Sequence, residues 1–161
     1  MLKLLPLNKS LKYILAHSII ADGKKIRKGT TLSKKDLTAL KKAGFKKIYV
    51  FKNSINDIEE NDAANKIARY LSDNNVICKK ALNGRADLYS KVNGMVCFDK
   101  KKLTSVNFKN SDIAVSMLKV ESIVKKNQLI GNIKILPYAI NKKKLKKILN
   151  NNNLFKFINV K

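Results

Sequence analysis

The strongest constraint on the fold is the order of start and stop signals between residues 11 and 51. Asp22 and Gly23 form a two-residue turn signal between two β-rich segments, which predicts a hairpin. Ser33, followed three residues later by Asp36, matches a capping box, and Gly44 is placed to end the same helix. The apolar run at 48–51 then predicts a buried strand. We therefore expect a hairpin, a helix and a strand, in that order.

Short elements continue between residues 54 and 140. Asp57 and Glu60 have capping-box spacing, and Ala64, Ile67 and Leu71 repeat at helical spacing, so a helix is expected from 57 to about 71. The other elements predicted there are strands at 76–78, 94–98, 112–118, 119–121 and 129–136, and helices at 84–92 and 101–106.

The chain divides by pattern into three segments, 1–53, 54–140 and 141–161. The last contains a lysine-rich helix at 141–149 and a strand-like stretch at 154–161, which we interpret as the start of a following domain. The predicted class is α+β, compact, with short mixed strands and several helices. No Walker or dinucleotide-type glycine pattern is present, so no doubly wound nucleotide-binding sheet is expected.

Cysteine, histidine and apolar content exclude several classes of protein. Two cysteines, Cys78 and Cys97, do not make a disulfide framework, and we expect them to be reduced thiols. The one histidine, His17, cannot form a His-rich metal site and is expected to be structural. No apolar run approaches the roughly 18 residues of a membrane span. We therefore expect a cytoplasmic protein with no membrane partner.

The chain has a large positive charge. Lysine and arginine total 35 against 11 acidic residues, a net charge of +24, which is typical of nucleic-acid binders. However, only three of these residues are arginine and tryptophan is absent. Lysine, asparagine and isoleucine have A/T-rich codons and the lysines are spread along the chain, which favours nucleotide bias as the cause. A basic RNA- or DNA-binding module is the alternative, and non-specific nucleic-acid binding is expected in both cases. The lysine run at 142–147 fits a solvated helix face or an anionic surface.

Four acidic residues cluster at one place in this basic chain: Asp57, Glu59, Glu60 and Asp62. Their oxygens suit a divalent cation such as Mg²⁺, or a basic partner. The simpler interpretation is that acids at a helix start complement the helix dipole, and the residue types favour it. No metal site is predicted from His or Cys spacing.

Gly84 and Arg85 are the second candidate site. In the predicted helix at 84–92 they lie at the N-terminus, where an arginine suits a phosphate or carboxylate. The alternative is that Arg85 forms an ion pair with Asp87 or with the acidic cluster, and both remain open.

The first fifty residues resemble the segment that precedes the molybdopterin-binding domain in molybdopterin molybdotransferases and related molybdenum-cofactor biosynthesis proteins. That segment has a hairpin, a K-G-x-x-L motif, a helix ending in Ala-Gly and a short strand. The similar stretches here are 16–18 (AHS), 26–32 (IRKGTTL), 36–37 (DL), 39–40 (AL) and 43–50 (AGFKKIYV).

Four later stretches are similar to motifs of a narrower subfamily of molybdopterin-binding proteins. They are 57–64 (DIEENDAA), 84–88 (GRADL), 112–115 (DIAV) and 131–139 (GNIKILPYA). In that subfamily the segment similar to 154–160 leads into the domain that holds the pterin, and some relatives continue into a nucleotidyltransferase domain. The ordered set covers nearly the whole chain and is more specific than its first part alone.

The resemblance implies a role in molybdenum-cofactor (molybdopterin) biosynthesis as an N-terminal or accessory module. The Thr-Gly and Gly-Gly loops of the pterin domain do not occur in these 161 residues, so the module is not expected to be catalytic alone. The implied partner is a molybdopterin-binding or nucleotidyltransferase domain or protein, and a homo-oligomer is also compatible. In this interpretation the acidic helix start and Arg85 line a groove that faces the domain holding the cofactor, and Arg85 contacts a phosphate or carboxylate.

Overall fold

The computed structural model describes residues 2–52 and 54–161, which form two compact units, Met1–Ile55 and Asn56–Lys161. Each unit has its own hydrophobic core. The first core is built around Leu15, Leu32, Leu40 and Val50, and the second around Ile67, Leu88, Ile130, Ile133 and Ile158.

The first unit contains the predicted hairpin, helix and strand. Its elements in chain order are β1 (Lys3–Pro6), β2 (Ile14–Leu15), β3 (Ile19–Ala21), β4 (Lys24–Ile26), α1 (Lys34–Lys42) and β5 (Lys47–Phe51). Strand β5 lies between β1 and β2 in an antiparallel sheet, and β3 and β4 form the hairpin. Asp22 and Gly23 both have positive φ, +53° and +70°, as a two-residue hairpin turn requires. The sequence analysis did not predict β1.

The start of α1 is the predicted capping box. The Ser33 hydroxyl accepts a hydrogen bond from the Asp36 backbone N–H (3.3 Å), and the Asp36 carboxylate accepts one from the Ser33 N–H (2.9 Å). The Ser33 hydroxyl also donates to the Asp36 carboxylate (2.5 Å), and this bond, together with the one from the Ser33 N–H, lowers the pKa of Asp36 below its ordinary value of 3.8. Gly44, at φ +84°, follows the helix as predicted.

Replacing Ser33 with alanine is expected to destabilise the first unit by about 1 kcal/mol at neutral pH. Both hydrogen bonds of the hydroxyl are lost, the one it accepts from the Asp36 N–H and the one it donates to the Asp36 carboxylate. The lowered pKa means that the ionised Asp36 stabilises the folded state. This contribution is present at neutral pH and is lost as the pH falls through the lowered pKa, below 3.8. Hydrogen exchange of α1 amides at pH 7 and at pH 3 measures both effects. An S33A penalty that is equally large at pH 3 would contradict the assignment to the ionised pair.

The second unit combines three helices with the remaining strands. In chain order these are β6 (Asp57–Glu59), α2 (Glu60–Leu71), β7 (Val76–Cys78), β8 (Arg85–Ser90), β9 (Gly94–Phe98), α3 (Lys100–Lys109), β10 (Ile113–Met117), β11 (Ile123–Val124), β12 (Leu129–Ile135), β13 (Ala139–Asn141), α4 (Lys142–Leu149) and β14 (Ile158–Val160). They form a four-stranded sheet in the order β10-β12-β8-β7, a three-stranded sheet β11-β9-β14 and the pair β13-β6.

Helix α2 covers the four-stranded sheet with a face of small and branched residues. The face consists of Ala63, Ala64, Ile67, Ala68 and Leu71, all fully buried. Alanines let the helix backbone approach β8 and β12 closely, while Ile67 and Leu71 fill the space between. All pairs between the named strands of the described chain are antiparallel, so the fold is α+β without a doubly wound sheet.

The helix predicted at 84–92 is wrong, because this segment is strand β8. Its side chains alternate, with Ala86, Leu88 and Ser90 buried. Asn83 and Gly84 have φ of +51° and +73° and form a two-residue turn that joins β8 to the segment after β7. Arg85 therefore begins a strand and does not lie at a helix N-terminus.

The predicted start of α2 is also displaced. Asp57 does not cap the helix, because 57–59 forms strand β6 with β13, and Glu59 is the N-cap. The helix end at Leu71 is confirmed. The strand predicted at 119–121 is wrong, since this stretch is irregular and turns before β11.

The helices rich in lysine were predicted with nearly correct bounds. Asp99 caps α3, which extends beyond 101–106 to Lys109, and Asn141 caps α4. Residues 141–161 fold within the second unit: Leu145 and Ile148 of α4 join its core, and β14 pairs with β9. Among the described residues there is no helix with the length and apolar character needed to cross a membrane.

Candidate functional site

Hydrogen bonds join three of the four later motifs of the sequence analysis at the start of α2, and the fourth is bonded to one of these three. Strand β6, from the acidic motif, pairs with β13, which begins at the end of the 131–139 motif. The Glu60 N–H donates to the Tyr138 carbonyl (3.1 Å), so the first residue of α2 is tied to the same segment.

The Asn83–Gly84 turn meets α2 and β12 at this place. The Gly84 N–H donates to Asn61 Oδ1 (2.7 Å), and the Gly84 carbonyl accepts from the Ile135 N–H (2.8 Å). The remaining motif, 112–115, is bonded to the residue after Ile135, because the Leu136 N–H donates to the Asp112 carbonyl (2.9 Å). We call Glu59, Glu60, Asn61, Gly84 and Tyr138 the α2 cluster.

Gly84 is closely packed inside the α2 cluster. A Cβ atom at this position would lie 3.0 Å from Glu60 Oε2 and 3.0 Å from the Ile135 carbonyl oxygen. Glu60 itself is only 6% exposed. Glycine is therefore required here both by the positive φ and by the neighbouring atoms.

The acidic residues of the predicted cluster do not converge. Asp57 lies in β6, and Asp62 is exposed in the first turn of α2. The Glu59 carboxylate accepts hydrogen bonds from the N–H groups of Asn61 (2.9 Å) and Asp62 (3.4 Å), which is an N-cap role. Within 2–52 and 54–161 no three His, Cys, Asp or Glu side chains gather in a way that would hold a metal ion. The geometry therefore favours the interpretation in which these acids complement the helix dipole.

Arg85 forms the ion pair that was one of its two predicted roles. Its Nε lies 2.6 Å from Asp87 Oδ1, two residues along β8 and on the same face of the strand. The side chains of Arg85 and Asp87 are 49% and 33% exposed. The pair is at the surface, so the guanidinium retains donors for a second anion.

The α2 cluster does not fit the phosphate of a bound molybdopterin. Gly84 is packed against Glu60 and the Ile135 carbonyl, so the position that a Cβ would take is already crowded by oxygen atoms. The carboxylate of Glu60 and that of the neighbouring Glu59 would also repel a phosphate. Arg85 alone would offer one exposed contact. We therefore assign no cofactor-binding step to this cluster.

The thiols give no sign of an activated nucleophile. Cys78 and Cys97 are both free and partly buried. Burial raises the pKa of the Cys78 thiol, which keeps it protonated at neutral pH. His17 lies in the first unit, where its ring makes an edge contact with Tyr49 (6.0 Å between ring centroids).

A cleft between α3 and α4 was not predicted. It has a volume of about 290 Å³, and Lys109, Lys144 and Lys147 lie along it. The sequence analysis considered the lysines of α4 as a run, but it did not predict that residues of α3 face them. The combination of Phe108 with Lys109 was the available signal, because an aromatic residue beside lysine on a polar helix face is typical of nucleic-acid contact.

Comparison with known proteins identifies one family match. The model of a domain of unknown function (DUF8806) matches residues 5–52, which corresponds to most of the first unit. No curated protein and no solved structure matches the chain.

Proposed function

We propose that this chain is an accessory module of molybdenum-cofactor biosynthesis that acts beside a molybdopterin-binding or nucleotidyltransferase domain. The observation that carries the proposal is that hydrogen bonds join three of the four later motifs at the α2 cluster and attach the fourth, 112–115, to the 131–139 motif. The linked residues are up to about eighty positions apart in sequence, yet hydrogen bonds link 57–64 to 84–88 and 131–139, and 131–139 to 112–115.

Spatial convergence supports the resemblance because a chance similarity of composition gives no reason for the matching stretches to touch. In this chain the matching residues include those with special structural roles, such as Gly84 at φ +73° and Asn61, which holds it. The order of hairpin, helix and strand in the first unit gives independent support.

The proposed role is that of a scaffold, and the partner domain holds the cofactor. The surface next to the α2 cluster exposes two apolar side chains beside an arginine: Leu82 and Leu136 are 73% and 57% exposed, and Arg85 begins the strand between their segments. Leu82 pairs with Arg85, and Leu136 directly follows the strand that pairs with Arg85. We propose that Arg85 contacts a phosphate or carboxylate of the partner there.

Isothermal titration tests this with the purified molybdopterin-binding domain of a molybdopterin molybdotransferase, loaded with molybdopterin. We expect the full chain to bind it and R85Q to bind at least about tenfold more weakly, because a charge-assisted hydrogen bond is lost. R69Q is the matched control, since Arg69 is an exposed arginine in the last turn of α2. The Arg85–Asp87 pair is exposed, so R85Q should fold normally.

Each result has a defined meaning. Absence of binding by the unmodified chain overturns the proposed function. Binding that R85Q leaves unchanged removes Arg85 from the interface, and equal losses in R85Q and R69Q attribute the effect to net charge alone.

The proposal includes a cytoplasmic location. Both cysteines are free thiols, and they lie in different strands, β7 and β9, as expected for a protein of a reducing compartment.

A further inference from the structure

Helices α3 and α4 both begin with three lysines. Lys100, Lys101 and Lys102 form the first turn of α3, and Lys142, Lys143 and Lys144 form that of α4. Cations are unfavourable at this end of a helix, because the dipole there is positive. Neither helix contains an acidic residue, although α1 and α2 both do. The lysines at the starts of α3 and α4 therefore oppose the helix dipole.

The net positive charge per residue is higher in the C-terminal part of the chain than in the rest. Residues 100–161 have 15 lysines against two acidic residues, a net charge of +13, whereas residues 1–99 have 20 basic and nine acidic residues, a net charge of +11. The shorter part thus holds more than half of the total of +24. Lysines occur throughout the chain, and the higher net charge of residues 100–161 arises mainly because this part contains only two acidic residues.

The two helices face each other across the cleft of about 290 Å³. Lys144 pairs with Asp112 (2.6 Å), while none of the ion pairs formed among the described residues uses Lys109 or Lys147. Three lysines and one aspartate leave the cleft with a net charge of +2. Asn110 and Asn151 add amide groups to its lining.

An exposed aromatic ring lies beside the cleft. Phe108 is 87% exposed, the highest value among the large apolar residues of the described chain. It lines a second, shallow cleft with Lys100 and Lys101 on α3, and this cleft shares Ser105 and Lys109 with the first. Lysines, ring and cleft thus form one continuous surface.

We propose that this surface, the α3–α4 surface, binds single-stranded nucleic acid. Lys109, Lys144 and Lys147 contact phosphates in the cleft, and a base stacks on Phe108. A single strand is the occupant that fits best, because a stacking ring needs an unpaired base, which a duplex or a membrane does not present. The inference does not depend on the proposed function, since it uses neither the α2 cluster nor Arg85.

Fluorescence anisotropy with a fluorescein-labelled 12-residue oligouridine tests the proposal on the full chain, over a series of salt concentrations that includes about 150 mM. Three neutralised lysines, K109Q/K144Q/K147Q, should reduce the slope of log affinity against log salt by about 2, as expected for three single-strand phosphate contacts. F108A should weaken binding about fivefold or more. The control K24Q/K25Q/K42Q removes the same charge from exposed positions of the first unit and should change little.

Three outcomes would overturn the proposal. One is a control variant that loses as much affinity as K109Q/K144Q/K147Q, since binding would then follow net charge. Another is unchanged affinity in F108A. The third is that the three lysines govern binding to phosphatidylserine vesicles and not to the oligouridine, which would make a lipid surface the target. Oligothymidine of equal length distinguishes RNA from DNA as the source of the strand.

Discussion

Replacing Gly84 with alanine is expected to destabilise the second unit by about 3 kcal/mol or more. A non-glycine residue at φ +73° costs about 1–2 kcal/mol through its backbone alone. The added Cβ would also lie 3.0 Å from both Glu60 Oε2 and the Ile135 carbonyl, and crowding in a packed site costs a further 1–3 kcal/mol or so. Native-state hydrogen exchange of amides in β8 and β12 measures the loss.

Gly23 provides the matched control for this substitution. It has nearly the same φ, +70°, but no atom lies within 4 Å of the Cβ that alanine would add. G23A should therefore cost the backbone contribution only, about 1–2 kcal/mol, in the first unit. If G23A and G84A lowered the free energy of unfolding equally, crowding of the added Cβ by Glu60 and Ile135 would not contribute to the effect of G84A.

The two turns also show what the sequence could predict. Asp22–Gly23 was interpreted as a hairpin turn, because the flanking segments looked like strands. Asn83–Gly84 is an equally strong turn signal, yet the segment after it was predicted as a helix. The alternation of Ala86, Leu88 and Ser90 indicates a strand, but it is short and is interrupted by polar residues. At both positions the turn residues indicated the observed turn, whereas the helix predicted at 84–92 did not form.

The start of α2 could not be located from local pattern. Capping-box spacing at Asp57 and Glu60 suggested a helix start, but pairing with β13 takes residues 57–59 into a strand. The partner strand lies about eighty residues further along the chain, so nothing near Asp57 indicates it. Glu59 then becomes the N-cap through bonds to Asn61 and Asp62.

For the candidate sites, too, local features could be predicted from the sequence and long-range contacts could not. Residue types identified the acidic stretch and Arg85. The role of the acids at a helix start and the pair of Arg85 with Asp87 were anticipated, whereas the bond between Asn61 and Gly84 depends on which segments meet and was not. The α3–α4 surface joins residues about forty positions apart, so its lysines looked dispersed in the sequence. Within the first unit, where the helix caps and hairpin turn are local, the predicted elements are confirmed.

Replacing Gly131 with alanine is expected to have an effect at least as large as that of G84A. Gly131 lies in β12, opposite Met117 of β10, in the middle of the four-stranded sheet. A Cβ there would lie 2.5 Å from the Ser116 carbonyl oxygen and would overlap Met117 Sδ. The methionine side chain can move, but the carbonyl belongs to the paired strand. The strands must therefore separate, and we expect a loss of about 3 kcal/mol or more from crowding and broken ladder bonds.

A double-variant comparison separates the two contacts of Gly131. M117A removes the sulfur atom. If the Met117 side chain were the only obstacle, adding G131A to M117A would cause no further loss of stability. We expect a further loss, because the Ser116 carbonyl remains in place and only a shift of β10 would relieve it. Urea unfolding of the four chains, followed by circular dichroism, gives the coupling energy. A double variant as stable as M117A would show that the backbones of β10 and β12 have room for a side chain at this position.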